Sequence, residues 1–241
     1  MITSLVSEFS KIKRNPLYEQ VYDSIIQGVV DQELAAGTQL PSERGLSEQY
    51  GVSRVVIREA MKVLVKNGIV VVEPGRGTFI SDQTTANLHK ALDLVCRIQQ
   101  VNSAKVMEVR IPLEILAASL AAQRATKNDI KAIKTCVEEC EKSVNDTGQF
   151  IVADEEFHLA LADASRNELL IALIQPLINL IQIVRYKTAG LPNAGISASH
   201  LHRKIYEAIQ KHDVKAAEWA MQEHMKITAG YLSEIASNES E

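Results

Sequence analysis

No stretch of this chain is apolar for the roughly 20 residues a membrane-spanning helix needs, and its N-terminus lacks the apolar core of a signal peptide. Both absences lead to the expectation of a cytoplasmic protein. Cysteine is scarce. Cys96, Cys136 and Cys140 are an odd set, which excludes a disulfide framework and suits a reducing compartment. Cys136 and Cys140 would stand one helical turn apart, so two thiolates there could hold a metal. Inert, partly buried thiols are the plainer reading. Positive charge is also in short supply. The 241 residues carry 26 Lys and Arg against 30 Asp and Glu, a net charge of −4, which looks wrong for a nucleic-acid binder. The distribution changes that picture. Residues 1–80 are neutral, with nine charges of each sign, and the remainder holds 17 basic and 21 acidic residues. Within Arg54–Arg76 five basic residues meet two acidic ones. The basic footprint is local, so any DNA binding should be specific and easily reversed by salt. Strand patterning, finally, is missing beyond residue 80.

What is present is organised around Leu40–Ala60. Pro41 and Ser42 open a short helix to Tyr50, with Ser42 as N-cap and Glu43 in the first turn. Gly51 permits the backbone conformation that ends a helix. Ser53 caps a second helix that carries on to about Asn67, where Gly68 stops it. Leu46, Ile57, Ala60, Met61 and Leu64 supply an inner apolar face. Arg54, Arg58 and Lys62 recur every fourth residue and share the other face. A helical hairpin with a solvated basic face would look the same. The following residues favour a DNA-binding helix-turn-helix. Ile69–Val72 is β-branched, Glu73-Pro74-Gly75-Arg76-Gly77 is a turn, and Thr78–Ile80 is a second strand. That hairpin is a wing with Arg76 at its tip, and its glycines let backbone approach a phosphate or a groove wall.

Residues 1–15 are polar and aperiodic, as expected of a loose arm. Leu17, Val21, Ile25, Val29 and Leu34 give a helix from about 17 to 31. The run from Pro16 to Ile80 resembles the winged-helix domain of GntR-type bacterial transcription regulators. By that resemblance Arg44, Arg54 and Arg58 are DNA contacts, and Ser53 and Gly75 approach the phosphates and the minor groove. The two positions after Arg54 often hold Thr or Pro in the family. Here they are Val55 and Val56, and a valine can pack against a thymine methyl instead.

Residues 81–87 are short and polar and read as a linker. Residues 88–241 read as an all-α bundle. Its helices are expected at roughly 87–100, 103–125, 128–145, 149–164, 167–189, 199–211 and 213–236. Asn128, Asn167, Ser199 and Asp213 are the expected N-caps, and Pro176 should kink the fifth of these helices. Polar residues intrude on three apolar stripes. One is Phe150, Asp154, Phe157, His158, Leu161. The second is His202, Ile205, Tyr206, Ile209. The third is Ala217, Ala220, Met221, His224, Ile227, Tyr231. The bundle interior thus receives one carboxylate and three imidazoles, and Asp154 and His158 meet on one face. A buried charge needs a partner, and a divalent cation supplies one. Asp154, His158, His202 and His224 suit Zn²⁺, Ni²⁺ or Mn²⁺, one ion per chain. Separate core histidines with their own hydrogen bonds are the competing reading, and four inward ligands argue against it. His200 faces elsewhere, and His89 and His212 read as surface.

This part resembles the effector-binding domain of the FadR-type subfamily, often called FCD, through Asp154–His158, His202–Ile205 and His224. Many members bind a metal through one Asp and three His at these positions, which implies that the metal helps hold a small carboxylate effector. Arg110 intrudes on the stripe Val106, Arg110, Leu113, Ala117, Leu120, with Glu114 one turn on. It is either half of an intrahelical pair or a guanidinium that clamps a carboxylate beside the metal. Asn167 is either a helix cap or a residue at the cavity mouth. The expectation is a homodimeric transcription regulator, a repressor by its type, that addresses a palindromic DNA operator and responds to a small organic acid. A metal sensor without organic effector, and a metalloenzyme using the Asp/His₃ set, are the alternatives. The second lacks a positioned general base or nucleophile.

Overall fold

The structure, a computed structural model, describes residues 15–81 and 84–238. It divides into two compact units, Met1–Asn87 and Leu88–Glu241. The arm expected over residues 1–15 lies outside the described residues except for Asn15.

In the first unit, α1 (Leu17–Val30) buries Val21 and Ile25, one turn apart, and packs on α3. Helix α2 (Glu43–Tyr50) starts where the Ser42 hydroxyl accepts the Gly45 N–H, and ends at Gly51 in the left-handed conformation. Helix α3 (Arg54–Lys66) starts where Ser53 accepts the Val56 N–H. Its Ile57, Ala60, Met61 and Leu64 are buried with Leu46, as the apolar spacing requires. The side chain of Asn87 fills the space a Cβ would need at Gly68, whose φ is +69°, so that position after α3 suits glycine on two counts.

The wing is a three-stranded antiparallel sheet rather than a lone hairpin. Strand β1 (Gln39–Leu40) joins β2 (Val70–Glu73) and β3 (Gly77–Ile80) in the order β1-β3-β2. Val70 faces Ile80 and Glu73 faces Gly77 across the hairpin, while Gln39 faces Phe79 on the far edge. Two residues carry no periodicity, which is why β1 is invisible in sequence. Leu40, Val70 and Ile80 turn inward and join the core of α1–α3.

The described residues of the second unit are built from helices: α4 (Thr84–Ile98), whose first four residues belong to the first unit, then α5 (Ser103–Arg124), α6 (Lys127–Ser143), α7 (Thr147–Ala164), α8 (Glu168–Leu180), α9 (Gln182–Ala189), α10 (Ala194–Gln210) and α11 (Val214–Asn238). Helix α4 begins at Thr84, so most of the expected linker is helical, and residues 82 and 83 lie outside the described residues. The expected helix 167–189 is two helices whose axes bend by 67°. Pro176 does not make the bend. It sits inside α8, and the break falls at Ile181 (φ −108°, ψ 14°). Two cap assignments are corrected. Thr126, in a reciprocal capping box with Asp129, starts α6 in place of Asn128. Helix α10 starts at Ala194, after Asn193 in the left-handed conformation, so Ser199 lies inside the helix and is buried. Asn167 accepts the Leu169 and Leu170 N–H groups, and Asp213 accepts the Ala216 N–H, both as caps.

Helix α7 is packed against α5, α6 and α8, and α11 against α5 and α10. Apolar layers of alanine on α5 (Ala117, Ala118, Ala121, Ala122) let α7 and α11 approach closely on either side. No single described helix is long and apolar enough to cross a membrane. Because Asn167 satisfies two otherwise orphaned N–H groups of α8, Asn167→Ala should destabilise the helical unit by about 0.5–2 kcal/mol. Urea unfolding followed by circular dichroism measures it, and no change would remove the cap from the account.

Candidate metal centre and nucleic-acid interface

The outer face of α3 carries Arg54, Arg58 and Lys62, all exposed. Arg58 Nη2 lies 3.3 Å from Glu43 Oε2, Lys62 Nζ 2.8 Å from Glu59 Oε1, and Arg44 Nε 2.9 Å from Glu48 Oε1. These pairs are exposed and weakly held, so each cation is free to exchange a carboxylate for a phosphate. Arg54 makes no ion pair with any described residue. It sits at the first turn beside Ser53, where the helix N-terminus already favours an anion. At the wing, Arg76 pairs with Glu73 and lies 5.6 Å over the Phe79 ring, next to Gly75 with φ +76°. Gln39 Nε2 donates to the Arg76 carbonyl at 2.8 Å and ties the turn to β1. Val55, next to Arg54 in the first turn of α3, is 66 % exposed.

In the helical unit Asp154 and His158 come from α7, His202 from α10 and His224 from α11. One ligand atom from each lies within 4.8 Å of all the others. His158 Nε2 stands 3.3 Å from His224 Nε2 and 3.9 Å from Asp154 Oδ1, and His202 Nε2 stands 3.4 Å from the same oxygen. The three imidazoles are buried, and the His202 ring is stacked on Phe157 at 4.1 Å. Both ring nitrogens of His202 are buried without a hydrogen-bond partner. That is costly for an ordinary core histidine, and a cation at this point would remove the cost. His158 and His224 are hydrogen-bonded, so His202 is the ring left without partners. The donor set fits a transition ion of borderline softness.

Buried charges surround this set. Arg185 on α9 sends Nη2 to within 2.6 Å of Asp154 Oδ2 and Nη1 to within 3.3 Å of Glu155 Oε2. Arg110 Nε donates to Glu114 Oε1 at 2.9 Å, and Glu114 Oε2 lies 2.8 Å from His158 Nδ1. Arg110 forms the pair with Glu114, yet the pair is fully buried and Arg110 lines the cavity. Burial alone would raise the Asp154 carboxyl. Arg185 and the three imidazoles outweigh it and hold the group far below the usual carboxylate range. Glu114 is likewise held low, against its burial, by His158 and Arg110. Burial pushes His202 down to about 3 despite the attraction of Asp154, and with its imidazole neighbours drives His224 well below its ordinary value. Both rings are neutral at pH 7, the form that binds a metal.

The cavity beside the cluster has a volume of about 50 Å³ and is lined by Arg110, Arg185, His158, His224 and the hydroxyl-bearing Thr188, Thr228 and Tyr231, among others. Asn167 is not among its lining residues, and its side chain is spent on the α8 cap. Ile227, expected in the inner stripe of α11, is 38 % exposed, and Met225 is buried in its stead. His200 and His212 are exposed, while His89 is half-buried and bonded to Asn179. Cys140 is buried and Cys136 half-buried, and burial raises both thiols, so neither offers a thiolate at pH 7. Sequence reasoning missed Arg185. The stripe Ile174, Ile178, Ile181, Arg185, Thr188 carries the same signal that picks out Arg110.

Residues 17–80 match the family of bacterial regulatory proteins called gntR, and residues 105–226 match the FCD domain. The chain is 33 % identical to the HTH-type transcriptional regulator LutR of Bacillus subtilis over 84 % of its own length and 96 % of that protein. It is 30 % identical to a putative L-lactate dehydrogenase operon regulatory protein of Escherichia coli, over 87 % and 83 % of the two chains. A solved GntR structure from Streptococcus agalactiae superposes with a TM-score of 0.75 at 26 % identity, covering 88 % of this chain and 98 % of that one.

The neutral imidazoles set a pH dependence. A group whose folded pKa lies below its unfolded value of about 6.5 takes up protons preferentially when unfolded, so it favours folding above that value and loses this contribution as pH falls. For His202 the loss runs from about pH 6.5 toward the folded value of about 3. Metal-free protein should therefore lose up to about 1.4 kcal/mol of stability per pH unit for each of His202 and His224 on going from pH 6.5 to 5. Denaturant titrations across that range check it. The slope should shrink in His202→Gln, and a slope unchanged by that substitution contradicts the assignment.

Proposed function

We propose, from the premise that this chain belongs to the GntR family of bacterial regulatory proteins and carries its FCD domain, a metal-containing regulator that answers a small carboxylate. The chain is a DNA-binding transcription regulator of this type. The proposal concerns its partners and the way it works. Residues 1–80 act as the DNA-binding head and residues 88–241 as the effector domain, joined through residues 81–87. The observation that carries the reading is the buried His202 ring with neither nitrogen satisfied, set among two imidazoles and a carboxylate that all converge on one point.

Asp154, His158, His202 and His224 would hold one divalent ion. When bound, that ion supplies a Lewis-acidic point for carboxylate or hydroxyl oxygens. Arg185 fixes the Asp154 carboxylate through Oδ2 and leaves Oδ1 facing the imidazoles. Arg110 and Arg185 give the cavity a positive wall, while Thr188, Thr228 and Tyr231 offer hydroxyls. Hydroxy acids lead as effectors because a carboxylate and a neighbouring hydroxyl suit a cation, guanidinium groups and hydroxyls together. The L-lactate operon named for one relative makes lactate a rational first probe.

On DNA, Arg44, Arg54, Arg58 and the wing residues Gly75 and Arg76 would contact bases and phosphates, with Ser53 at a phosphate. Two copies of the chain would each take one half of a palindrome, since paired half-sites match a two-fold dimer. The effector acts only if it binds two arrangements of the protein unequally.

Two measurements test these parts separately. Arg54→Ala should cost about 1–3 kcal/mol of operator affinity at fixed salt with the fold unchanged. Gel-shift titration reads it, and full affinity in that variant and in Arg58→Ala would remove the helix-turn-helix contacts. For the effector, fluorescence anisotropy of operator binding is followed across hydroxy, keto and sugar acids with metal-loaded protein. At least a tenfold shift is expected for one short acid, about 1.4 kcal/mol of coupling. Arg110→Ala should lose that shift. A response to metal alone, with no acid adding to it, would instead make the ion the signal.

A further inference from the structure

Glu114 is completely buried, and nothing in the sequence motifs or the relatives' names gives it a role. Its two oxygens are both engaged. Oε1 accepts from Arg110 Nε at 2.9 Å, and Oε2 faces His158 Nδ1 at 2.8 Å. Both partners are themselves buried, at 2 % and 1 % exposure, so water does not share these bonds. We infer that Glu114 is the positioning residue of the metal centre: its carboxylate fixes the His158 ring with the proton on Nδ1, turns the bare Nε2 toward the other ligands, and ties that ring to Arg110.

The argument is one of donors and acceptors. An ionised carboxylate can only accept, and the guanidinium of Arg110 can only donate. The short contact to Oε2 therefore requires a proton on Nδ1. In a neutral imidazole that leaves the lone pair on Nε2. Nε2 is the atom that points at His224 Nε2, 3.3 Å away, and toward Asp154 Oδ1. A ligand nitrogen with a proton on it cannot bind a cation, so the orientation of this one ring decides whether the four-residue set is competent. Carboxylates hydrogen-bonded to the far nitrogen of a ligating histidine serve this purpose in metal sites generally. Here the same carboxylate also holds an arginine of the cavity wall. The residue that orders the metal ligand thus also places the positive group proposed for the effector.

Glutamine at this position cannot do both jobs. It offers one acceptor oxygen and one NH₂ group in place of two acceptor oxygens. With its oxygen toward Arg110, its NH₂ meets His158, which must then accept at Nδ1 and carry the proton on Nε2. With its oxygen toward His158, its NH₂ abuts the Arg110 donors. The first arrangement sets a donor against an acceptor at both contacts and is the one expected, and it switches His158 to the form that excludes the metal.

The test uses the full-length protein and Zn²⁺ as the probe. Histidine ring ¹⁵N spectra of metal-free protein at pH 8 should show His158 protonated on Nδ1 in the wild type and on Nε2 in Glu114→Gln. A purely structural role for Glu114 would not move that signature. Zn²⁺ affinity by chelator competition should fall about 10- to 100-fold in Glu114→Gln. In Glu114→Asp, which keeps the charge but shortens the reach, the Nδ1 proton should persist and the loss should be smaller. A wild-type spectrum with the proton on Nε2 overturns the inference without any variant, as does a Glu114→Gln protein with unchanged tautomer and unchanged Zn²⁺ affinity. The inference rests on the metal reading above, and the two fail differently. If the wild type takes up no Zn²⁺, the metal reading falls, and the ring spectra still decide what Glu114 does.

Discussion

Burying charge in an apolar bundle is expensive unless every charge finds a partner, and that constraint shapes the second half of this chain. Arg110, Glu114, Asp154 and Arg185 are taken out of water together with three imidazoles. The pairs Arg110–Glu114 and Asp154–Arg185 close two of the accounts. What is left over is the Asp154 Oδ1 atom facing the imidazoles, and a His202 ring with neither nitrogen hydrogen-bonded. Helix α7 carries two of these ligands one turn apart, and α5, α9, α10 and α11 are each drawn to it by at least one polar group. The alanine-rich face of α5 makes the close approach sterically open. Removing one member of such a network leaves its partner buried and unpaired, so single substitutions here should perturb more than the contact they delete.

Much of this was legible in the sequence because it rests on local rules. Ser42, Gly51, Ser53 and Gly68 punctuate the helix-turn-helix, and the structure uses Ser42, Gly51 and Ser53 as caps and stops as their chemistry dictates. The convergence of Asp154, His158, His202 and His224 followed from polar residues at helical spacing on three separate stripes, which a core tolerates only for a reason. The features that were not legible depend on tertiary context. Strand β1 is two residues long and exists because β3 offers it an edge. The break at Ile181 carries no proline or glycine, whereas Pro176 is absorbed inside α8. Glu114 reads as the i, i+4 partner of Arg110, and only the fold brings its second oxygen to His158, 44 residues away. Arg185 stands on an apolar stripe, and only the fold brings it to Asp154, 31 residues away.

The two units divide the work. The first is small, with a compact apolar core under α1–α3 and the sheet, and its cations are exposed and held by weak pairs that DNA can displace. The second also buries two of its cations, Arg110 and Arg185. Arginine thus serves opposite purposes in one acidic chain, as an exposed excess on the face of α3 and as the buried partner of Glu114 and Asp154 in the bundle. That arrangement explains how a net charge of −4 is compatible with specific DNA binding.

The central claim is that the unsatisfied nitrogens of the bundle interior belong to a metal centre. X-ray absorption of the full-length protein loaded with one equivalent of Zn²⁺ tests it most directly. The account predicts a first shell of three imidazole nitrogens and at least one oxygen at about 2.0–2.2 Å, with no sulfur. It also predicts loss of the imidazole signature in the protein carrying both His202→Ala and His224→Ala. Sulfur in the first shell would place the ion at Cys136 and Cys140 instead, and a shell of water oxygens alone would mean that the buried cluster does not bind metal.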